Sequence, residues 1–404
     1  MTLSRLPSNT LTLLGSNLGG ALLLFVLSAL IGRTFGSPGL GVYAVALAWV
    51  YPLSLVVEFG LTTLMTRAIS ADSTQIPAYM ESITVARLLL GGGVLIAFYL
   101  AAPLISRDPV VITALQISAP LIVIQPFYSQ FTTVFKAQGR LWTIPALNLG
   151  MIGAQVVLTA IALANGGNIL HALSLNTVTS AGQLVAAWWL YQRLTLAEQA
   201  RLPLSLGRGG WGVRLVTLLR AAFPFALAAI FAALQARMVF LLLEQQVIEA
   251  GYFSAANRFI EAAKLLPNAF FAALFPLIGS ASVQGAFRPA ALGLAAFGLV
   301  AGIGFTVTAP LLLTLVFGGG FQPAVPTLIV LGWSLLFFAL RGARTIYWYA
   351  HSGEHFVNGV NALAVVVIFV LSTALIPSYG AVGGAVAVLL TDLGVTTVLY
   401  TRNA

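Results

Sequence analysis

The 404 residues include no cysteine and very little charge. Without cysteine, disulfides, iron–sulfur clusters and thiolate catalysis are excluded. Charged residues make up 7% of the chain, against about 25% in a soluble protein, so a water-soluble class is excluded as well. Long polar stretches are scarce. Gaps such as Ser106–Pro109 and Asn165–Asn168 leave no room for a separate catalytic domain. The apolar runs are long and continuous instead of alternating, which excludes a β-barrel. Gly91-Gly92-Gly93 and Gly318-Gly319-Gly320 lack the Lys-Ser/Thr ending of a phosphate loop, so direct ATP use is not expected. His351 and His355 flank Ser352-Gly353-Glu354 in an order unlike that of a zinc protease. Neither a metal nor a cofactor is expected. With no basic–aromatic patch of the recognised kinds, nucleic acid is not expected as a partner either.

What the chain has in quantity is apolar surface: 59% hydrophobic residues and a mean hydropathy of +0.99. A helix that crosses a bilayer needs roughly 20 apolar residues. Apolar runs fall near 10–32, 40–64, 83–105, 109–134, 142–164 and 168–191, then near 221–243, 250–279, 289–313, 323–345, 356–377 and 380–400. The expectation is an all-α integral membrane protein of twelve transmembrane helices. An N-terminal lobe at 1–191 and a C-terminal lobe at 221–404, six helices each, flank a basic cytoplasmic linker at 192–220 that carries Arg193, Arg201, Arg208, Arg214 and Arg220. Arg5 precedes a full-length run with no small-residue cleavage site after it, so the first run is read as a span.

Charge asymmetry sets the orientation. The formal charge is +9, from 19 basic and 10 acidic residues. With the N-terminus in the cytoplasm, Arg5, Arg67, Arg87, Lys136, Arg140, the five linker arginines, Arg288, Arg341, Arg344 and Arg402 lie inside. Only Arg33 and Arg107 lie outside. This positive-inside pattern puts both termini in the cytoplasm. Trp188, Trp189 and Tyr191, and likewise Tyr347, Trp348 and Tyr349, read as interfacial belts.

The halves echo each other. Gly41-Val42-Tyr43-Ala44 and Gly251-Tyr252-Phe253-Ser254 stand 210 positions apart, and Gly139 and Gly353, like Gly166 and Gly380, stand 214 apart. Six spans per half make this a parallel repeat, whose lobes are related by a pseudo-two-fold axis along the membrane normal. Such lobes enclose a cavity and work by rocking.

Gly32-Arg33-Thr34-Phe35-Gly36-Ser37-Pro38-Gly39-Leu40-Gly41-Val42-Tyr43 resembles the first extracytoplasmic turn of polysaccharide-biosynthesis flippases, in the superfamily shared with multidrug/toxin extruders and lipid II flippases. Glu58-Phe59-Gly60-Leu61 followed by Thr66-Arg67 is similar to that family's acid-Phe-Gly motif and trailing Arg. Ala255-Ala256-Asn257-Arg258 with Pro267 and Pro276 resembles its helix eight. Phe317-Gly318 with Ala324 and Pro326, and Gln138-Gly139-Arg140, fit as well. The resemblance implies movement of undecaprenyl-pyrophosphate-linked oligosaccharide from the cytoplasmic to the outer leaflet of a bacterial cytoplasmic membrane. It implies a working monomer, with glycan polymerase machinery as a candidate partner. The alternative on the same fold is a cation-coupled small-molecule extruder.

Ionisable groups inside spans are costly and mark candidate sites. Arg237 and Arg258, at similar depth on consecutive spans, are expected to form a fork for pyrophosphate, unless they pair with Glu244 and Glu249. Glu261 and Lys264 continue Arg258 at helical spacing, as a cavity stripe or a self-neutralised triad. Arg341 stands with Arg344 at the inner mouth, as a receiver of pyrophosphate or an anchor. Asp392, near the middle of the last span, is a candidate ion-coupling site or the partner of a basic residue. Glu58 and Arg67 are candidates for a gate or for ion coupling.

Overall fold

The structure is a computed structural model, and it describes residues 6–72, 75–196, 211–274, 282–351 and 353–402. The described residues are helical throughout, with no strand among them. In chain order the helices are α1 (Leu6–Glu58), α2 (Leu61–Ala71), α3 (Ile76–Ile105), α4 (Pro109–Ser118), α5 (Leu121–Ala137), α6 (Thr143–Ala164) and α7 (Ile169–Tyr191). They continue with α8 (Trp211–Leu242), α9 (Val247–Leu274), α10 (Ser282–Phe317), α11 (Val325–Ala350) and α12 (Glu354–Thr401). Eight segments are long and apolar enough to cross a membrane.

Local chemistry explains where the chain breaks. Asp108 caps α4 by accepting the Val110 N–H at 2.8 Å, and Asn168 and His171 exchange hydrogen bonds with each other's backbone to start α7. The expected span at 109–134 is two helices, because Pro120 cannot donate to the ladder. Two expected turns are each made at a single glycine of non-helical backbone. Gly36 (φ 68°) divides α1, and Gly380 (φ 54°) divides α12. The linker expected at 192–220 shrinks at both ends: a π-turn continues α7 to Leu196, and α8 begins at Trp211. Arg201 and Arg208 lie outside the described residues.

The chain sorts into two compact units, Met1–Leu24 with Ala46–Ala233, and Phe25–Val45 with Leu234–Ala404. In the first unit the core joins Leu61, Met65 and Ile69 of α2, Ile83 of α3, Phe135 of α5 and Ala222 of α8. Tyr191, expected at an interface, is packed in this core, 5.4 Å from the ring of Phe131. Trp188 and Trp189 are exposed.

In the second unit the segment 25–45 is held by rings and by backbone. Phe25 meets Phe259 at 5.2 Å, and the Arg33 guanidinium donates to the Val316 carbonyl at 2.8 Å and to that of Leu315, capping α10. Gly41 lies against the Val247 carbonyl, and Gly251 against the Ser37 carbonyl, so neither position has room for a Cβ. The Glu249 carboxylate accepts the Ala381 N–H at 2.8 Å, just past the Gly380 bend. One turn of α9, residues 247–251, therefore receives both bent helices. Trp348 is buried as well, and its indole N–H donates to the Leu399 carbonyl at 3.1 Å, so it is no belt residue.

Crowding at these glycines is directly testable. Gly41→Ala or Gly251→Ala should destabilise the chain by about 1–3 kcal/mol, the usual cost of overpacking. Gly92→Ala, which meets nothing within 4 Å, should be neutral. Thermal unfolding of the purified variants in detergent reads both outcomes.

Candidate functional site

Asn257, Arg258, Glu261 and Lys264 recur at three- and four-residue spacing along α9, so they share one helical face. Arg258 Nη1 meets Glu261 Oε2 at 2.8 Å, and Asn257 Nδ2 donates to Glu261 Oε1 at 3.0 Å. Both carboxylate oxygens of Glu261 are thus engaged. Arg258 takes the carboxylate one turn along its own helix, the contact its spacing allows. Arg237 of α8 lies with its guanidinium 6.0 Å from the Phe240 ring. Glu249, the acid of the first turn of α9, caps the α12 bend through the Ala381 N–H. Glu244, in the turn between α8 and α9, has its carboxyl pushed up by burial, against the opposing pull of a hydrogen bond from Gln245.

One turn beyond Glu261, Lys264 places its ammonium 4.5 Å from the Phe338 ring centroid of α11. It interacts through its charge with Asp392, Glu261 and Arg341. Arg341 is itself the hub of a second cluster. Nη1 meets Asp392 Oδ1 at 3.0 Å, and Nη2 donates to Asn361 Oδ1 at 2.7 Å and to Gln235 Oε1 at 3.3 Å. These groups come from α11, α8 and both arms of α12. The pair is largely buried, with side chains 18% and 9% exposed. Asp392 therefore takes a basic partner, the structural alternative open to it from sequence.

Five ionisable groups of the second unit are gathered by these contacts. Three are cationic (Arg258, Lys264, Arg341) and two acidic (Glu261, Asp392), and each acid already holds an arginine. The formal surplus is one positive charge, and it falls on Lys264. Arg344, expected beside Arg341 at an inner mouth, faces elsewhere. It stacks 4.3 Å from Tyr347 and donates to the Leu399 and Arg402 carbonyls, capping α12.

In the first unit the acid-Phe-Gly segment is a helix break. Phe59 (φ 49°) and Gly60 (φ 67°) separate α1 from α2, and a Cβ on Gly60 would lie 2.7 Å from the Ala222 carbonyl and 2.8 Å from the Ala226 nitrogen of α8. Phe59 sits 6.2 Å from the Phe223 ring. Arg67 is exposed and lies 5.1 Å from the ring of Phe225. The motif thus seats residues 222–226 of α8. Glu58 acts by its charge on Arg87.

Arg87 is the functional-class residue that sequence reasoning misplaced. Counted with the inner loops, it is 0% exposed. It donates to Thr62 Oγ1 at 2.8 Å, to Gln130 Oε1 at 3.3 Å and to the Pro126 carbonyl. Gln130 in turn donates to the Met80 carbonyl at 2.9 Å and to Thr84 at 3.0 Å. A second buried set also escaped notice: Asn148 Oδ1 accepts from Tyr128 at 2.6 Å and from Gln183 at 2.9 Å. The position of Arg87 inside the apolar run from 83 was the available signal.

Comparison with known proteins follows from this geometry. The sequence profile of a family described as "Polysaccharide biosynthesis protein" matches residues 6–282. None of the curated proteins matches the chain. Among solved structures it is similar to lipid II flippase MurJ in an inward closed conformation, with a TM-score of 0.75, 13% identity, and coverage of 97% of this chain and 86% of that one. It is also similar to an inward-facing multidrug resistance MATE family transporter of the MOP superfamily, with a TM-score of 0.70, 12% identity, and coverage of 96% and 92%. A MOP superfamily transporter from Pyrococcus furiosus, described as having a binding pocket of reverse polarity, gives 0.58, 11%, 97% and 94%. At such identities the likeness establishes the fold.

The Arg341–Asp392 pair yields a stability prediction. Asp392→Ala strands a buried guanidinium and should cost about 3–5 kcal/mol, while Arg341→Met combined with Asp392→Leu should recover most of that loss. Thermal unfolding of the single and double variants checks it.

Proposed function

This multi-pass membrane protein belongs to the polysaccharide biosynthesis protein family, and we propose that it is a flippase for undecaprenyl-pyrophosphate-linked oligosaccharide. Cargo moves from the cytoplasmic to the outer leaflet of the bacterial cytoplasmic membrane by alternating access, with both termini cytoplasmic and a monomer as the working unit. The observation that carries this reading is the make-up of the cluster, three basic side chains with two acids that arginines already hold. In a span, such a formal surplus of basic groups favours an anionic cargo.

The reading takes twelve spans: the eight apolar segments among the described residues, with α1 and α12 each counted as two arms, and the more polar α7 and α9 added. The lipid tail stays in the bilayer while the polar head crosses.

A cation-coupled extruder on the same fold is the competing reading, since MATE transporters share this fold. It needs an acid available to an organic cation, and Glu261 and Asp392 are both engaged. Leaflet transfer of a labelled undecaprenyl-pyrophosphate oligosaccharide in proteoliposomes separates the two. Wild-type protein should move it, and Lys264→Met should lower the rate about tenfold or more while the protein stays folded, as expected for one lost charge-assisted contact. No transfer by the wild type, together with efflux of a cationic dye, would establish the extruder instead.

A further inference from the structure

Arg341 is a donor with no acceptor capacity, and the groups around it are oxygens. One carboxylate (Asp392) and two amide carbonyls (Asn361, Gln235) converge on its two terminal nitrogens. Each comes from a different helical segment: α8, the first arm of α12 and the second arm of α12. The donor set is of the hard-oxygen kind that binds alkali and alkaline-earth ions, and its single formal negative charge suits a monovalent one. The cation seated there is covalently part of α11. We propose that Arg341 is a tethered cation, which fills an oxygen-lined cation site so that the four segments close around it without a soluble ion.

The consequence concerns energy coupling. Asp392 is the acid that its depth in the last span marks for ion exchange, yet its charge is matched by a group that cannot leave the protein. Lys264 stands by as a second internal cation, close enough to act on both Asp392 and Arg341 through its charge. The inference deepens the transport reading by removing Asp392 as an ion-coupling site, but its test does not depend on the cargo.

Purified protein is melted in NaCl and in choline chloride at equal ionic strength. The wild type should unfold at the same temperature in both. Arg341→Ala vacates the site and should become Na+-dependent, unfolding about 2–4 °C higher in NaCl, the size of shift a bound ion gives at several times its Kd. Adding Asp392→Asn to Arg341→Ala should abolish that response. Because the Lys264 ammonium can move into the vacated place, Arg341→Ala with Lys264→Met is measured alongside, and a Na+ response in either background supports the proposal. Absence of a response in both overturns it. So does a wild-type response to Na+ that Asp392→Asn removes, and this arm stands even where the Arg341 variants fail to fold. Leaflet transfer insensitive to the Na+ gradient in the wild type is the functional counterpart. Failure of transfer altogether would bear on the cargo and leave the melting result intact.

Discussion

In a helix that crosses hydrocarbon, no water is at hand to solvate a charge, so every ionised side chain must find its partner within the protein. Much of this structure follows from that constraint. Arg341 takes an acid and two amides from neighbouring segments, Arg258 takes the acid one turn away, and Arg87 takes hydroxyls, an amide and a carbonyl. A buried ion pair adds little net stability against apolar packing, but removing one partner is costly. The pairs therefore specify which helical segments lie together more than they add to the free energy of folding. Arg341 does so for α8, α11 and both arms of α12, and Arg87 for α2, α3 and α5.

Glycine supplies the complementary device, close approach of backbone. The first turn of α9 touches the α1 segment at Gly41 and Gly251 and caps the α12 bend through Glu249. With no side chain at either glycine, carbonyls of one helix sit directly on the other. Where the chain must also turn, as at Gly36, Gly60 and Gly380, positive φ makes the requirement doubly strict. Each of these five glycines stands in a stretch that the sequence reading singled out as a motif, a repeat or a boundary.

The legible part of the fold was the part written in hydropathy and spacing. Apolar runs located most of the helices, although α3, α8 and α10 begin seven to ten residues before the runs do and α2 had no run of its own, and the face carrying Arg258, Glu261 and Lys264 was evident from periodicity alone. What was not legible was how little chain these breaks take: at Gly36 and at Gly380 one glycine of non-helical backbone separates two helical arms. Partnership was not legible either. Arg341 and Asp392 are 51 positions apart, and Arg87 and Thr62 are 25 apart. Nothing local marks such pairs. Arg87 was assigned to a loop because a charge near the end of a run is usually a solvated anchor. Among the residues read as belts, Tyr191 and Trp348 lie near helix ends yet have a core to enter, while Trp188 and Trp189 are exposed.

The charge arithmetic also bears on how, under the proposed flippase reading, a fold shared with multidrug transporters would take an anionic cargo. The fold supplies helices and bends, and those are indifferent to the sign of what passes. Sign is set by a few side chains. With Asp392 and Glu261 matched by Arg341 and Arg258, adding Lys264 makes the difference between a neutral cluster and a cationic one. A single Lys264 replaced by an apolar residue would leave two closed ion pairs and no surplus, and replacement by an acid would reverse the surplus. Selectivity for charge in this architecture therefore rests on the residue left over once the structural pairs are made, a quantity that is read by pairing the charges and not by counting them.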